Sequence, residues 1–305
     1  MEPLKEMFNQ AYFEKLAAVL GTELKIDRKG FLEFATHDLT GLSLNQRMRR
    51  ATETLQLHLP PDFKKSVKIL MQVAPKMPRG YTSLVFPDFV GLNGKQHFDV
   101  SMDALKYFTS FGSSEFAVRE FLRADFERAI QVMKIWATDN IVHVRRLASE
   151  GSRPRLPWSF KLQQVIDDPG LTTPILNTLK SDKELYVKKS VANHLNDIAK
   201  EHPEYMLSTV GKWNQGDPHT AWIIRHGSRS LIKSGHPGAL GLFNFKTDVK
   251  VRVEKLKISP AQINLGDSLN FEFLITSGSN KTQKLAVDYI VHYKKSSGAL
   301  SAKVF

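Results

Sequence analysis

The segment VHVRRLASEGSRPRLPW, residues 142–158, combines residue types suited to two opposite charges. A single carboxylate, Glu150, stands among four arginines, and Trp158 closes the segment. The arginines are Arg145, Arg146, Arg153 and Arg155. Guanidinium groups suit phosphate, because each offers a planar fork of donors at fixed charge. The carboxylate is expected to be ionised in that field, and the indole offers a π face to a cation or a nucleobase.

Glu150 and Trp158 favour the cleavage of a glycosidic bond. Cleavage at an anomeric carbon passes through an oxocarbenium-like transition state, which a carboxylate can stabilise while it directs the attacking water. A leaving base that is already cationic departs neutral and needs no general acid. Glu115 and Asp197 are further carboxylates that folding could bring to the same groove. The alternative is structural: Glu150 forms an ion pair with a neighbouring arginine, and Trp158 anchors the core.

The motifs of several other enzyme classes are absent from the sequence. There is no cysteine, which excludes disulfides, thiolate nucleophiles, iron–sulfur clusters and cysteine zinc sites. The ten histidines form no HExxH motif, and no Walker loop, GxGxxG or GxSxG occurs. We therefore expect neither a metal ion nor an organic cofactor.

The charge of the chain favours a polyanionic partner. Lysine and arginine number 43 against 31 acidic residues, a net charge of +12, and 42% hydrophobic residues indicate a folded protein. Charge that serves only solubility is the alternative. Because no signal peptide and no run of about 18 apolar residues occurs, we expect a cytoplasmic protein without membrane spans.

Residues 1 to about 240 have the periodicity of helices, with short breaker-rich connections. Val144-Arg145-Arg146 is echoed by Val187-Lys188-Lys189 and again by Ile224-Arg225-His226. The spacings, 43 and 37 residues, are typical of HEAT-type helical pairs, which stack into a solenoid.

The clearest predicted helix covers residues 182–200. Ser181 and Glu184 predict a capping box at its start. Its apolar face is expected to pack on neighbouring helices, and a polar face that includes Lys189, Asn193, Asn196 and Lys200, with Asp197 at its margin, suits phosphate oxygens. An ordinary solvated face is the alternative.

The pattern changes to alternation near residue 245. The runs 249–258, 269–275 and 286–293 predict strands of an immunoglobulin-like sandwich. Such a domain needs about 100 residues, and only about 60 follow, so we expect an incomplete sandwich of four or five strands. We place the domain boundary between residues 243 and 244. Ten basic against five acidic residues in 246–305 suggest that this part also faces a polyanion.

RRLASEGSRPRLPW at 145–158 closely resembles the hallmark segment of the AlkC family of DNA alkylation repair glycosylases. The segments 187–204, 46–60 and the N-terminal PLKEMFNQAYFEKLAAVL are similar to other helices of that family. Some members also have an immunoglobulin-like C-terminal domain. The resemblance implies a HEAT-like solenoid that excises cationic N-alkylated bases, such as 3-methyladenine and 3-methylcytosine, from double-stranded DNA. It also implies a bacterial protein that acts as a monomer.

The resemblance also implies roles for residues. Glu150 would be catalytic with Asp197 and Glu115, and Trp158 would contact the lesion base. Arg145, Arg153 and Arg155 would bind the DNA backbone. Apart from the resemblance, the guanidinium of Arg146 and the polar face of Lys189 and Asn193 predict further DNA-binding residues. Two alternatives remain open: a HEAT scaffold that binds protein or RNA without catalysis, and a DNA-structure binder without enzymatic activity. Glu150 distinguishes them, because a pure phosphate binder gains nothing from a carboxylate among arginines.

Overall fold

The structure is a computed structural model that describes residues 3–245, 249–264, 266–285 and 287–305. Within these ranges the residues group into two compact units. The first contains residues up to His202 together with Trp213–Gly227, and the second contains Pro203–Lys212 and Ser228–Phe305. The predicted boundary between residues 243 and 244 falls within the second unit and stays a prediction.

Helices account for nearly all regular structure before residue 245, and strands for that after it. In the described residues the α-helices are α1 Gln10–Leu20, α2 Arg28–Thr36, α3 Leu44–His58, α4 Phe63–Val73, α5 Val85–Asn93, α6 Phe98–Phe108, α7 Val118–Ala124, α8 Phe126–Trp136, α9 Val142–Gly151, α10 Gln163–Asp167, α11 Thr173–Leu179, α12 Leu185–Ile198, α13 Pro203–Gly211, α14 Pro218–Gly227, α15 Arg229–Lys233 and α16 Pro237–Leu242. Short 3₁₀ helices cover Leu4–Phe8, Leu39–Gly41, Ala74–Lys76, Tyr81–Leu84 and Pro169–Leu171. The strands are β1 Val251–Ser259, β2 Asn270–Ser277, β3 Ile290–Lys294 and β4 Leu300–Val304. The predicted fold class, a helical-repeat region followed by a small β region, is confirmed.

The predicted repeat corresponds to helices that pack against each other. The three echoed triplets lie on α9, α12 and α14, and α12 packs against both of the others. Their first residues, Val144, Val187 and Ile224, are each at most 1% exposed. The basic residues that follow therefore have equivalent positions on successive helices, as expected of stacked repeats.

The start of α12 differs from the sequence prediction. The helix begins at Leu185 after Glu184, which provides no side-chain cap, so the capping box predicted from Ser181 and Glu184 is wrong. Asp182 takes the place of the capping box. Its carboxylate accepts a hydrogen bond from the backbone N–H of Glu184 at 2.9 Å and also binds Arg145. An aspartate two residues before a backbone N–H competes well for that donor in this way.

The expected apolar face of α12 is buried, but its polar face is not uniformly solvated. Val187, Val191, Leu195 and Ile198 are at most 3% exposed. On the other side, Lys189 is exposed and Asn193 is half-buried. Asn196 and Asp197 are 5% and 4% exposed. The polar side of the helix is thus partly buried, which differs from the ordinary solvated face of the alternative.

The described strands form two antiparallel pairs, β1 with β2 and β3 with β4. The register of the first pair shifts between Glu254 and Lys257, at a bulge where Lys255 has a φ of +58°. Apolar side chains of the first pair, such as Val253 and Leu256, 62% and 64% exposed, line a cavity of about 640 Å³. The two pairs of strands therefore leave the apolar faces of β1 and β2 mostly exposed. Ala286, the first residue of the third predicted run, lies outside the described residues.

No helix in the described part of the chain is both long and apolar enough to cross a lipid bilayer.

Candidate active site

α7 and α9 approach each other closely at one point beside the candidate site, at Gly151. Gly151 ends α9, and a Cβ atom added there would lie 2.5 Å from Cγ1 of Val118 on α7. Only a glycine lets the two backbones approach this closely without displacement. Residues 151–160, which we call the active-site segment, then lead from α9 into a loop that contains Arg153 and Trp158.

Glu150 lies in the last turn of α9 and is 5% exposed. Its Oε1 accepts a hydrogen bond from Nη1 of Arg153 at 2.6 Å and lies 3.6 Å from Nη2 of Arg146. Arg146 precedes Glu150 by four residues and therefore shares its helix face. Both arginine contacts are made to the same carboxylate oxygen, Oε1. The ion pair that the structural alternative predicted is thus present, inside the protein rather than at its surface.

The network continues from Arg146 to the loop before α7. Arg146 Nη1 donates to Glu115 Oε2 and, at 2.8 Å, to the hydroxyl of Ser113. Ser113 in turn donates to Glu115 Oε2 at 2.7 Å. The Arg146 side chain is 12% exposed and that of Glu115 is 15% exposed. Glu115 and Glu150, which are 35 positions apart in the sequence, therefore share one guanidinium.

On its other side the network reaches α12. Arg153 Nε donates to Oδ2 of Asp197 at 2.8 Å, and Nζ of Lys200 donates to Oδ1 of Asp197 at 3.2 Å. Burial acts to lower the pKa of Arg153, but the charges of Glu150 and Asp197 outweigh burial and raise that pKa. Arg153 is thus a fixed cation between two carboxylates. The structure brings together Glu150, Asp197 and Glu115, the three predicted catalytic residues.

A cavity of about 410 Å³ opens beside this network. Its lining includes Glu115, Arg146, Glu150, Arg153, Leu156, Trp158 and Tyr186. Trp158 is 76% exposed and has a φ of +66°, so the suggestion that it anchors the core is wrong. A non-glycine residue in the left-handed region is uncommon, and such strain concentrates at functional sites. Trp158 also lines a second cavity, of about 300 Å³, with Asp88 and Phe160.

The other predicted DNA-binding residues lie outside this cavity. Arg145 Nε donates to Asp182 at 2.6 Å, and its Nη1 donates to the carbonyl of Asp139 at 2.9 Å. Arg155 pairs with Glu201. The positions of Lys189 and Asn193 on α12 are given above. Arg145 and Arg155 therefore have partners within the protein, and a DNA contact by any of these residues stays a prediction.

Sequence reasoning missed two tyrosines of the cavity, Tyr81 and Tyr186. The ring of Tyr186 lies 4.9 Å from the guanidinium carbon of Arg146, a cation–π contact. The repeat gives a signal for Tyr186. It precedes the echo on α12 as His143 precedes that on α9, and the two rings are 5.6 Å apart. Tyr81 lines both cavities but stands in a 3₁₀ helix outside any repeat.

His194 of α12 contacts the backbone of α9 at Ser149, the residue before Glu150. It is completely buried, with Nδ1 3.0 Å from the carbonyl of Ser149 and Nε2 3.1 Å from the hydroxyl of Thr172. These partners fit the neutral ring, with Nδ1 as donor and Nε2 as acceptor. Burial, assisted by the charge of Arg153, lowers the pKa of His194 from 6.5 to about 3.

We expect this histidine to make the protein less stable as the pH falls. The unfolded chain takes up its proton near pH 6.5, whereas the folded protein resists protonation until about pH 3. Between these values the free energy of unfolding should decrease by about 1 kcal/mol for each pH unit on account of this group. Urea unfolding at pH 7, 6 and 5 measures the slope. His194→Gln, whose amide can both donate and accept, should have a shallower slope, and an unchanged slope would contradict the assignment.

The two units and the buried network together define a class of protein. It is a stacked helical-repeat protein with a buried arginine–carboxylate site and an immunoglobulin-like β domain. Residues 252–305 match the family described as "Uncharacterised protein YhaZ, C-terminal Ig-like domain". The whole chain is 39% identical to the uncharacterised protein YhaZ of Bacillus subtilis (strain 168) and spans 85% of it.

A solved structure is more similar still. It is Pseudomonas fluorescens alkylpurine DNA glycosylase AlkC bound to DNA containing an abasic site analog. The match covers all of this chain and 85% of that chain, at 48% identity and a TM-score of 0.95. The chain therefore belongs to the AlkC family, as the resemblance of residues 145–158 predicted.

Proposed function

We propose that this protein is a monofunctional DNA glycosylase that hydrolyses the N-glycosidic bond of cationic N-alkylated bases, including 3-methyladenine and 3-methylcytosine, in double-stranded DNA. One observation supports this most directly. Glu150 is held through a single oxygen by two arginines, beside a 410 Å³ cavity that Trp158 also lines. Membership of the same family as a solved alkylpurine DNA glycosylase agrees with it.

The residues can divide the reaction between them. Oε1 of Glu150 is engaged by Arg153 and Arg146. We assign the other oxygen, Oε2, to the anomeric carbon and the attacking water. As the C1′–N bond breaks, the base takes the bonding pair and leaves neutral, while the carboxylate stabilises the positive charge on the sugar. Water then adds to C1′ and gives up a proton, for which Glu150 is the acceptor.

Glu115 and Asp197 have a different geometry from Glu150. Asp197 reaches Glu150 only through Arg153, and Glu115 reaches it only through Arg146. We therefore propose that both carboxylates act mainly by fixing the two guanidinium groups in place. In addition, Glu115 lines the cavity and can contribute negative charge near a cationic base.

Trp158 is the proposed contact for the lesion base. Its indole is mostly exposed, and its backbone strain is of a kind that surrounding structure must maintain. A π face attracts a cationic ring by roughly 0.5–2 kcal/mol, more when water is excluded. Such a contact would favour an alkylated, positively charged base over its neutral parent. We further propose that exposed basic residues such as Lys189 bind the backbone and that the protein acts as a monomer.

Base release from methylated DNA tests the proposal. The protein is incubated with duplex DNA treated with a methylating agent. Free base is quantified by chromatography, and abasic sites are quantified by cleavage in hot alkali. We expect equal amounts of both products and intact strands before the alkali step. Binding without release would contradict the enzyme and favour a DNA-binding scaffold. Strand cleavage without alkali would contradict the monofunctional reaction.

A further inference from the structure

Arg119 on α7 is a fully buried arginine outside the three-carboxylate network. Arg119 and Arg47 head the largest fully buried side chains of the described residues, at 0% and 1% exposed. Arg47 pairs with the carboxylate of Glu6 at 3.0 Å. Arg119 instead uses its guanidinium to bind backbone. Burying a guanidinium group that donates to main-chain carbonyls costs desolvation free energy. We therefore asked which part of the backbone these hydrogen bonds hold in place.

The carbonyls that Arg119 binds bracket the active-site segment. Nη1 donates to the carbonyl of Gly151 at 3.0 Å and to that of Arg153 at 2.6 Å. Nη2 donates to the carbonyl of Phe160. The acceptors thus lie at the start of the segment, at the arginine that binds Glu150, and at its end. One side chain, distant in sequence by 32 to 41 positions, ties both ends together.

The first of these contacts follows from helix chemistry. The last carbonyls of a helix have no partner within it and carry the negative end of its dipole, so a cation is favourable there. Gly151 is the last residue of α9. Its missing side chain allows Val118 to approach, and Arg119 is the next residue on α7. The glycine and the arginine therefore act together.

The end of the segment is held by the same group. The Phe160 ring centre lies 5.3 Å from the guanidinium carbon of Arg119 and 4.6 Å from that of Arg123. Between these anchors stands Trp158, exposed and in a strained conformation. Because an exposed residue has little packing of its own to maintain strain, the anchors on either side must supply it.

Arg119 keeps its charge in this position. Burial and the nearby charge of Arg153 lower the pKa of Arg119 to about 10, against the carboxylates of Asp197, Glu150 and Glu115, which raise it. The guanidinium therefore remains protonated at neutral pH. It holds charge-assisted hydrogen bonds to the carbonyls, which are stronger than neutral ones.

We infer that Arg119 is a positioning residue that fixes segment 151–160, and thereby sets Arg153 and Trp158 against Glu150. Its consequence for catalysis rests on the proposed function. The structural role of Arg119 does not rest on that function, because the rigidity of the segment can be measured without any enzymatic activity.

Hydrogen exchange of the full-length protein tests the structural half. Arg119→Met keeps the length of the side chain but removes its donors, and Arg47→Met is the matched control, a buried arginine that binds carbonyls of Lys5 and Phe8 elsewhere. We expect Arg119→Met to speed amide exchange within 151–162 at least ~10-fold, and Arg47→Met to leave these amides as in the wild type. The amide of Leu162, which donates to the carbonyl of Pro154 at 3.1 Å, is one reporter.

Base release tests the catalytic half. We expect kcat to fall ~10- to 100-fold in Arg119→Met, with KM changed much less, because a small misplacement of reacting groups has effects of this size. Guanidinium ion at a concentration too low to denature should restore part of kcat in a smaller variant, Arg119→Ala, which leaves room for it. Arg119→Lys, with one nitrogen for three carbonyls, should be intermediate.

The two halves can fail separately. Exchange within 151–162 that is unchanged in Arg119→Met, or equally fast in Arg47→Met, overturns the inference whatever the activity. If the segment loosens but kcat stays at the wild-type value, the inference is overturned for catalysis. If the wild-type protein releases no base, the proposed function has failed, and the exchange experiment still decides whether Arg119 holds the segment. Arg119→Lys serves for both readouts if Arg119→Met does not fold.

Discussion

Replacing Glu150 with glutamine should slow the release of a methylated base from duplex DNA by about 100-fold or more, while DNA binding remains measurable. The amide has the shape of the carboxylate but no charge, so it cannot stabilise the cationic sugar or accept a proton from water. It can still accept the hydrogen bond that Arg153 donates to Oε1. Single-turnover kinetics measures the chemical step without product release.

Glu201→Gln is a suitable control for this prediction. Glu201 also pairs with an arginine, Arg155, but its side chain is 45% exposed and it does not line the cavity. The control should keep its single-turnover rate within a factor of about two, as is usual for a surface ion pair. A Glu150→Gln protein with wild-type activity would remove Glu150 from the mechanism.

Replacing Arg153 with methionine should reduce the free energy of unfolding by about 3–5 kcal/mol at neutral pH. Arg153 is 6% exposed and binds both Glu150 and Asp197. Its removal leaves two buried carboxylates without their shared cation, and this loss of compensating charge accounts for most of the expected decrease, although Arg146 and Lys200 still face them. Urea unfolding measures it. The same substitution should also greatly reduce base release, because Oε1 of Glu150 loses its shortest contact.

A double substitution separates the ion pair from the loss of packing. The double variant Arg153→Met with Asp197→Asn should lose less free energy of unfolding than the sum of the losses of the two single variants, because the two residues are in contact. Arg128→Met provides a surface reference: Arg128 and Asp99 form an ion pair with side chains 50% and 81% exposed, and its loss should cost less than about 1 kcal/mol. Equal losses for Arg153→Met and Arg128→Met would contradict the buried network.

The sequence predicted the class of fold well because periodicity is a local property. Repeated apolar positions define helices that must stack, and the echo at Val144, Val187 and Ile224 lies at buried positions of α9, α12 and α14. Alternation after residue 245 likewise predicted strands. Local chemistry was less reliable where a distant partner competes. The capping box at Ser181 failed because Asp182 binds Arg145, and no local pattern reveals that partner.

The candidate site shows the same division. By itself, the sequence determined the composition of the site: a carboxylate among arginines, Glu150, with Trp158 nearby and two further acids. Only the tertiary structure decided their connections, because Glu115, Asp197 and Arg119 reach the site from other helices and loops. It placed Arg153 in the interior as the link between two carboxylates and left Trp158 exposed. Burial and pairing across 30 to 45 positions depend on how α7, α9 and α12 pack, and no spacing along the chain encodes that packing.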